Sequence, residues 1–221
     1  IPYIVVDSKQ PKIDVKWSDY PDESDKGPYP IPPDAPIEGG PKSDGHRHVL
    51  VLDRDTLKLY ELWRAFPSDD GKSWKAANGA IWDLKTGAAR PAGWTSADAA
   101  GLPIFPGLVR YDEVVEQKAV RHAFRFTVQH SRRAYVPPAT HFAAHSNDPK
   151  LPPMGMRVRL RADFDTSKLP PQAKVIAIAL QTYGMILADN GSDWYLSGAP
   201  NDKWDDDDLG TLRHIHGKDF E

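Results

Sequence analysis

Nine of the 21 prolines fall within residues 1–41. Proline lacks an amide hydrogen and has a fixed φ, so Tyr20–Pro41 can hold little helix and no continuous ladder. Tyr20, Tyr29, Ile31 and Ile37 give this stretch apolar anchors. Residues 1–45 are therefore expected to form a proline-rich arm packed on a core, with residues 46–221 as a single β-rich domain. A disordered linker is the alternative for the same composition.

Beyond residue 46 the pattern changes to short apolar runs separated by turn residues. Val49–Leu52 and Leu57–Trp63 flank Asp53–Thr56, which has turn chemistry. Ser73–Leu84 reads as a hairpin around Asn78-Gly79, and Met185–Asp189 with Ser192–Leu196 as another around Asn190-Gly191. Leu108–Val115, Val120–Val128 and Met156–Phe164 read as strands. Thr95–Gly101 reads as a short helical turn and Ser68–Gly71 as a surface turn. Pro170–Tyr183 is the one long helix, with Ile176, Ala179, Leu180 and Tyr183 on one face and Gly184 as its stop. The acids Asp205–Asp208 suit a helix N-terminus. The expected fold is mainly β: an antiparallel β-sandwich or jelly roll with one long helix and short helical turns.

Composition removes several classes of function. The chain has no cysteine, which excludes disulfides, thiolate nucleophiles and cysteine-ligated metals. A net charge of −3 offers no surplus of cations for a phosphate backbone, so a nucleic-acid partner is not expected. No run approaches the roughly 18 apolar residues of a membrane span. Motifs of the type GxSxG, GxxxxGK[ST] and GxGxxG are absent. The chain opens on Ile1-Pro2-Tyr3 without a visible leader, as a processed or trimmed product would.

Pairing the strands on paper brings polar residues together. With residues 116–119 as a loop, Glu113 faces His122 among Val109, Tyr111, Phe124 and Phe126. With residues 53–56 as a loop, His48 faces Glu61 beside Leu50 and Leu59. A carboxylate and an imidazole on an apolar face can be poised near neutral pH for acid–base work, or can be a bonded core pair. On the opposite face Arg110 lies across from Arg125, an arrangement that would hold an anionic group, while a solvated charged face is the plainer account. His46-Arg47-His48 has a spacing that metals use, and Glu61, Glu113 or His122 could converge on it. The cupin pattern does not fit, because Glu61 lies too far along. Of the tryptophans, Trp94, set between Gly93 and Thr95, is expected to be exposed and able to stack on a sugar ring.

The strings HVLVLDRDTLKLYELW (48–63), RPAGWTSADAAGLPIFPGLVRYDEV (90–114), HAFRFTV (122–128), RRAYVPPATHFA (132–143), LPPMGMRVRLRADFD (151–165) and YGMILADNGSDWYLSGAP (183–200) resemble a family of secreted bacterial and fungal proteins. The resemblance covers nearly the whole chain. It implies secretion, a single domain and further residues ahead of Ile1, and it brings no catalytic assignment.

These observations give three functional expectations. The first is a secreted carbohydrate-active enzyme, a glycoside hydrolase or lyase on a polysaccharide. Its catalytic residues would be Glu113, His122, His48 and Glu61, and Arg110, Arg125 and Trp94 would hold the substrate. The second is a non-catalytic extracellular carbohydrate-binding or structural module. The third is a metal-dependent oxidase or lyase using His46 or His48. No cofactor or metal ligand is assigned from the sequence alone.

Overall fold

A computed structural model describes residues 1–68 and 71–221. Asp69 and Asp70, the centre of the acidic turn read at Ser68–Gly71, lie outside the described residues. In chain order the strands are β1 (Tyr3–Val6), β2 (Asp14–Trp17), β3 (Val49–Asp53), β4 (Lys58–Trp63), β5 (Phe66–Pro67), β6 (Ser73–Ala76), β7 (Asn78–Asp83), β8 (Phe124–Val128) and β9 (Arg157–Val158). Helix α1 (Pro171–Thr182), strands β10 (Met185–Asn190) and β11 (Tyr195–Leu196), and helix α2 (Asp206–Gly210) follow. The fold is mainly β, built from three small sheets, each mixing parallel and antiparallel pairs. Their orders are β1-β3-β4-β7, β11-β8-β10-β9 and β2-β6-β5. No helix among the described residues is long and apolar enough to cross a membrane.

The first sheet is buried on both faces, which explains the unbroken apolar run of β3. One face carries Val49, Val51, Tyr60 and Leu62 against Trp74, Ala76, Tyr29 and Ile31. The other carries Leu50 and is roofed by Ala97, Ile104 and Leu108 from the loop after β7. A separate, larger core forms where Ile176, Ala177 and Leu180 of α1 pack on Phe124, Phe126, Met185 and Leu187 of β8 and β10. Burying such side chains contributes roughly 2 kcal/mol each.

The proline-rich start contributes more than anchors. β1 pairs parallel with β3 and β2 pairs parallel with β6. Between them Tyr29 is fully buried and joined to Ile13 by a bridge.

Three paper hairpins are corrected. β6 and β7 do not pair with each other: β6 joins β2 and β5, while β7 joins β4, so the chain changes sheet at Ala77. β10 and β11 do not pair either, because β8 sits between them, parallel to β10 and antiparallel to β11. The strand expected over 108–115 is instead a wide helical turn at Asp112–Glu116, packed against α1. The antiparallel pairing assumed for a sandwich or jelly roll thus gives way to mixed sheets.

Helix α1 ends at Thr182, and Gly184 just beyond it, with a φ of +71°, lets the chain turn directly into β10. Its other end is capped from a distance, since the Asp208 carboxylate accepts the amides of Gln172 and Ala173, both at 2.8 Å. This satisfies two amides that have no partner inside the helix.

Candidate functional site

The β3–β4 turn decides where His48 and Glu61 fall. Asp53 Oδ1 accepts the amides of Asp55 and Thr56, and Leu57 takes a left-handed φ of +54°. The turn is thereby lengthened, Asp53 pairs with Lys58, and Glu61 lies opposite Leu50 rather than His48. A shift of two residues keeps both side chains on the same face but separates them along it. Glu61 is sealed, with 0% exposure. Its oxygens accept the amides of Ile104 at 2.9 Å and Phe105 at 2.9 Å and the indole N–H of Trp82 at 3.1 Å. Burial pushes its carboxyl up to about 7 while those donors pull the other way. Glu61 therefore pins the 104–105 loop to the sheet and does not reach solvent.

Glu113 and His122 do meet, through the helical turn rather than a hairpin. His122 Nε2 lies 3.0 Å from Glu113 Oε2, and Arg110 holds the other oxygen at 2.6 Å. Burial opposes ionisation of Glu113, but His122 and Arg110 outweigh it and hold the carboxyl below its ordinary range. Arg110 and Arg125 do not form a joint anion site. Arg110 stacks on Phe105 and pairs with Glu113. Arg125 is buried and grips Asp98 through Nε at 3.3 Å and a terminal nitrogen at 2.9 Å, and it also meets Ser197. Trp94 is half-buried beneath the Arg90 guanidinium, and the exposed tryptophan is Trp194.

The arrangement with the most chemistry sits at the entry to β3, and it includes a residue that the sequence reading missed. Gly39, with φ +74°, occupies the position of a type II turn that favours glycine, and Gly40 closes the turn onto the Ile37 carbonyl at 2.8 Å. This turn swings Glu38 towards β3, where its amide bonds the His48 carbonyl at 3.0 Å. Arg47, between the two histidines, has a left-handed φ of +50°. Its guanidinium is locked by the carbonyls of Ala65, Pro41 and Ser43 and lies over Phe66. A bulky residue keeps such a backbone only where its surroundings enforce it. The result is that one ligand atom each from Glu38, His46 and His48 comes within 4.8 Å of the others.

The tautomer of His48 follows from its neighbours. Nε2 faces the Ala97 carbonyl at 2.9 Å and so carries a hydrogen. That leaves Nδ1 pointing at Glu38 Oε2, 2.7 Å away. At that distance a proton lies between the two, as in a charge-assisted hydrogen bond. Burial works against ionising Glu38, but the bonds and charge of His48 dominate and set its carboxyl at about 2. Burial first, then His48, lowers the His46 pKa, which favours the neutral imidazole that metals take. His46 is exposed, so one side of the set is open.

Behind these three residues lies the Asp98–Arg125–Asp189 group, with Asp189 3.8 Å from the guanidinium. Burial raises the carboxyl groups of both Asp98 (to about 6) and Asp189, and the charge of His48 acts on each. Against Glu38, Asp98 and Asp189 stand the Arg125 guanidinium and the His48 ring, and the Ile1 ammonium also acts on Glu38. In front, the Arg64 amide bonds the His46 carbonyl at 2.8 Å. Arg64 also lines a groove of about 610 Å³ with Tyr20, Trp63, Phe66, Asp19 and Lys75. Tyr20 and Trp63 lie ring to ring at 6.2 Å along it.

No family model, curated protein or solved structure matches the chain.

Proposed function

We propose that the chain is a metal-dependent enzyme that cleaves saccharide chains, with Glu38, His46 and His48 holding a divalent transition-metal ion. The observation that carries this reading is the convergence of one ligand atom each from Glu38, His46 and His48 within 4.8 Å of one another. His48 Nε2 is committed to Ala97, so Nδ1, now hydrogen-bonded to Glu38, is the nitrogen that would turn to the ion, which would displace the proton the two share. Two imidazoles and a carboxylate with an open side suit a catalytic ion, which acts as a Lewis acid and activates water. The Ala97 carbonyl is the outer partner such a histidine needs. The groove of Tyr20, Trp63 and Phe66 supports a sugar substrate, because flat aromatic faces next to Asp19, Arg64 and Lys75 match alternating C–H and hydroxyl surfaces. In this reading the protein is secreted and its partner is a polysaccharide or oligosaccharide.

The test begins with elemental analysis and with titration of Zn²⁺ and Mn²⁺ into chelator-treated protein. One ion per chain is expected, with affinity falling at least ~100-fold in Glu38→Gln and in His46→Ala. A reducing-end assay over a polysaccharide panel then reads turnover. Absence of binding by the wild-type protein, or unchanged binding by both variants, removes the proposal.

The Glu113–His122 pair favours a second reading, a metal-free glycoside hydrolase or lyase. A carboxylate kept charged by Arg110 and His122 is suited to act as base or nucleophile. Here Glu113→Gln would abolish turnover and Glu38→Gln would spare it.

A further inference from the structure

The groove in front of the candidate metal centre opens on the outer face of the third sheet, β2-β6-β5. Trp74 and Ala76 of β6 turn inward to the core, so Lys75 between them turns outward. Lys75 lies side by side with Lys16 of β2 on one flank and with Phe66 of β5 on the other. Phe66 is 40% exposed and Tyr20 38%, and with Trp63 they give the groove an aromatic floor. Arg64 closes it on the side of the metal centre. Its φ of +51° is left-handed and is held by its amide on the His46 carbonyl and by the Ala65 amide on the Arg47 carbonyl.

The charges on this face are uneven. Lys16, Arg64 and Lys75 take part in none of the ion pairs among the described residues. Two of them, Lys16 and Lys75, are neighbours on paired strands, an arrangement that like charges disfavour. Two acids share the face and are also without an ion pair: Asp19, which accepts the Ser18 hydroxyl, and Asp14, placed beside Ser73. The lining itself therefore carries Arg64 and Lys75 against Asp19, and Lys16 adjoins it. This local positive surplus sits on a chain whose net charge is −3.

Building on the saccharide reading of this groove, we propose that its substrate is an acidic saccharide chain, a polyuronate, with ring faces on Tyr20, Trp63 and Phe66 and carboxylates at Arg64 and Lys75. The aromatic floor calls for flat C–H faces, which an acidic peptide of the same charge lacks. The Arg64 guanidinium offers a fork that matches a planar carboxylate. Lys16 extends the positive track past the groove, towards the next uronate of the chain. Arg64 joins substrate to metal centre, lining the groove while its amide holds the His46 carbonyl.

Calorimetric titration of the chelator-treated full chain with tetragalacturonate, its methyl ester and tetraglutamate tests this. The ester keeps the rings without the charge, and the peptide keeps the charge without the rings. Tetragalacturonate is expected to bind at least about tenfold more tightly than either. Arg64→Gln and Lys75→Gln, both surface changes, are each expected to weaken it about fivefold and to leave the ester unchanged. Tyr20→Ala is expected to weaken both saccharides. The proposal is overturned if tetragalacturonate shows no binding at about 1 mM, a concentration at which even weak ligands register. It is also overturned if the ester or the peptide binds as tightly, or if both cation variants bind as wild type does. Because this titration is made without metal, it separates the two readings. Tetragalacturonate bound by a chain that takes up no metal removes the metal centre alone, and a metal-binding chain that ignores tetragalacturonate removes the polyuronate alone.

Discussion

Replacing Glu61 by glutamine separates a structural carboxylate from a catalytic one, through the pH dependence of stability. Glu61 is fully buried, and its carboxyl is raised from an ordinary 4.5 to about 7. The folded state therefore keeps a proton that the unfolded chain has lost. The stability this provides is complete below pH 4.5 and disappears as pH rises through about 7. The gap is worth about 3 kcal/mol, of which about 2–3 kcal/mol falls between pH 5 and pH 8. Glutamine cannot titrate. At pH 8 it turns an amide nitrogen towards N–H donors now satisfied by oxygen, and each donor left alone costs about 1–3 kcal/mol. At pH 5 the variant's deficit should be larger by the further 2–3 kcal/mol or so that the wild type has gained. Urea denaturation of both proteins at the two pH values reads the difference directly, because contributions from other groups largely cancel. A deficit that does not change with pH would refute the reasoning, and so would a variant as stable as wild type.

Three other outcomes are expected. Glu38 runs in the opposite sense: its carboxyl is held at about 2, so its stabilisation is present above pH 4.5 and is lost as pH falls towards 2. Allowing for its partial exposure this is about 2 kcal/mol, and acid unfolding of Glu38→Gln should lack that component. Arg125→Lys loses the paired grip on Asp98 and strands buried carboxylates, a cost of about 3 kcal/mol, seen as a thermal midpoint lower by roughly 6–12 °C. Gly184→Ala places a Cβ 2.3 Å from the Val158 carbonyl oxygen at a φ of +71°, so it should destabilise by more than about 2 kcal/mol. A midpoint within about 1 °C of wild type would contradict either of the last two expectations.

The parts legible in the sequence were those whose partners are close along the chain. Helix α1 announced itself through its apolar spacing and through Gly184. β3 and β4 were found with nearly correct limits, and only the left-handed Leu57 moved their register by two residues. The misplaced hairpins share one cause: β7 pairs with β4, β10 with β8, and β6 with β2, and no turn dipeptide reports such distant pairings. The candidate centre was half visible. The spacing of His46 and His48 was on the page, while Glu38 lay in the proline-rich stretch that was read only as packing. Its signal was the Gly39-Gly40 pair, which marks a sharp turn immediately after an acid. Glu113 and His122 were paired correctly for the wrong reason, because a helical turn brought together what a strand was expected to align.

The distant cap on α1 ties together two regions that are far apart in the chain. Gln172 and Ala173 are held by a carboxylate that arrives only when the last tenth or so of the polypeptide has docked. Hydrogen exchange at those two amides should therefore act as a gauge of the tail. Any event that loosens residues 205–221 would speed their exchange, and anything that fastens the tail would slow it, although neither amide touches the surface where the event occurs.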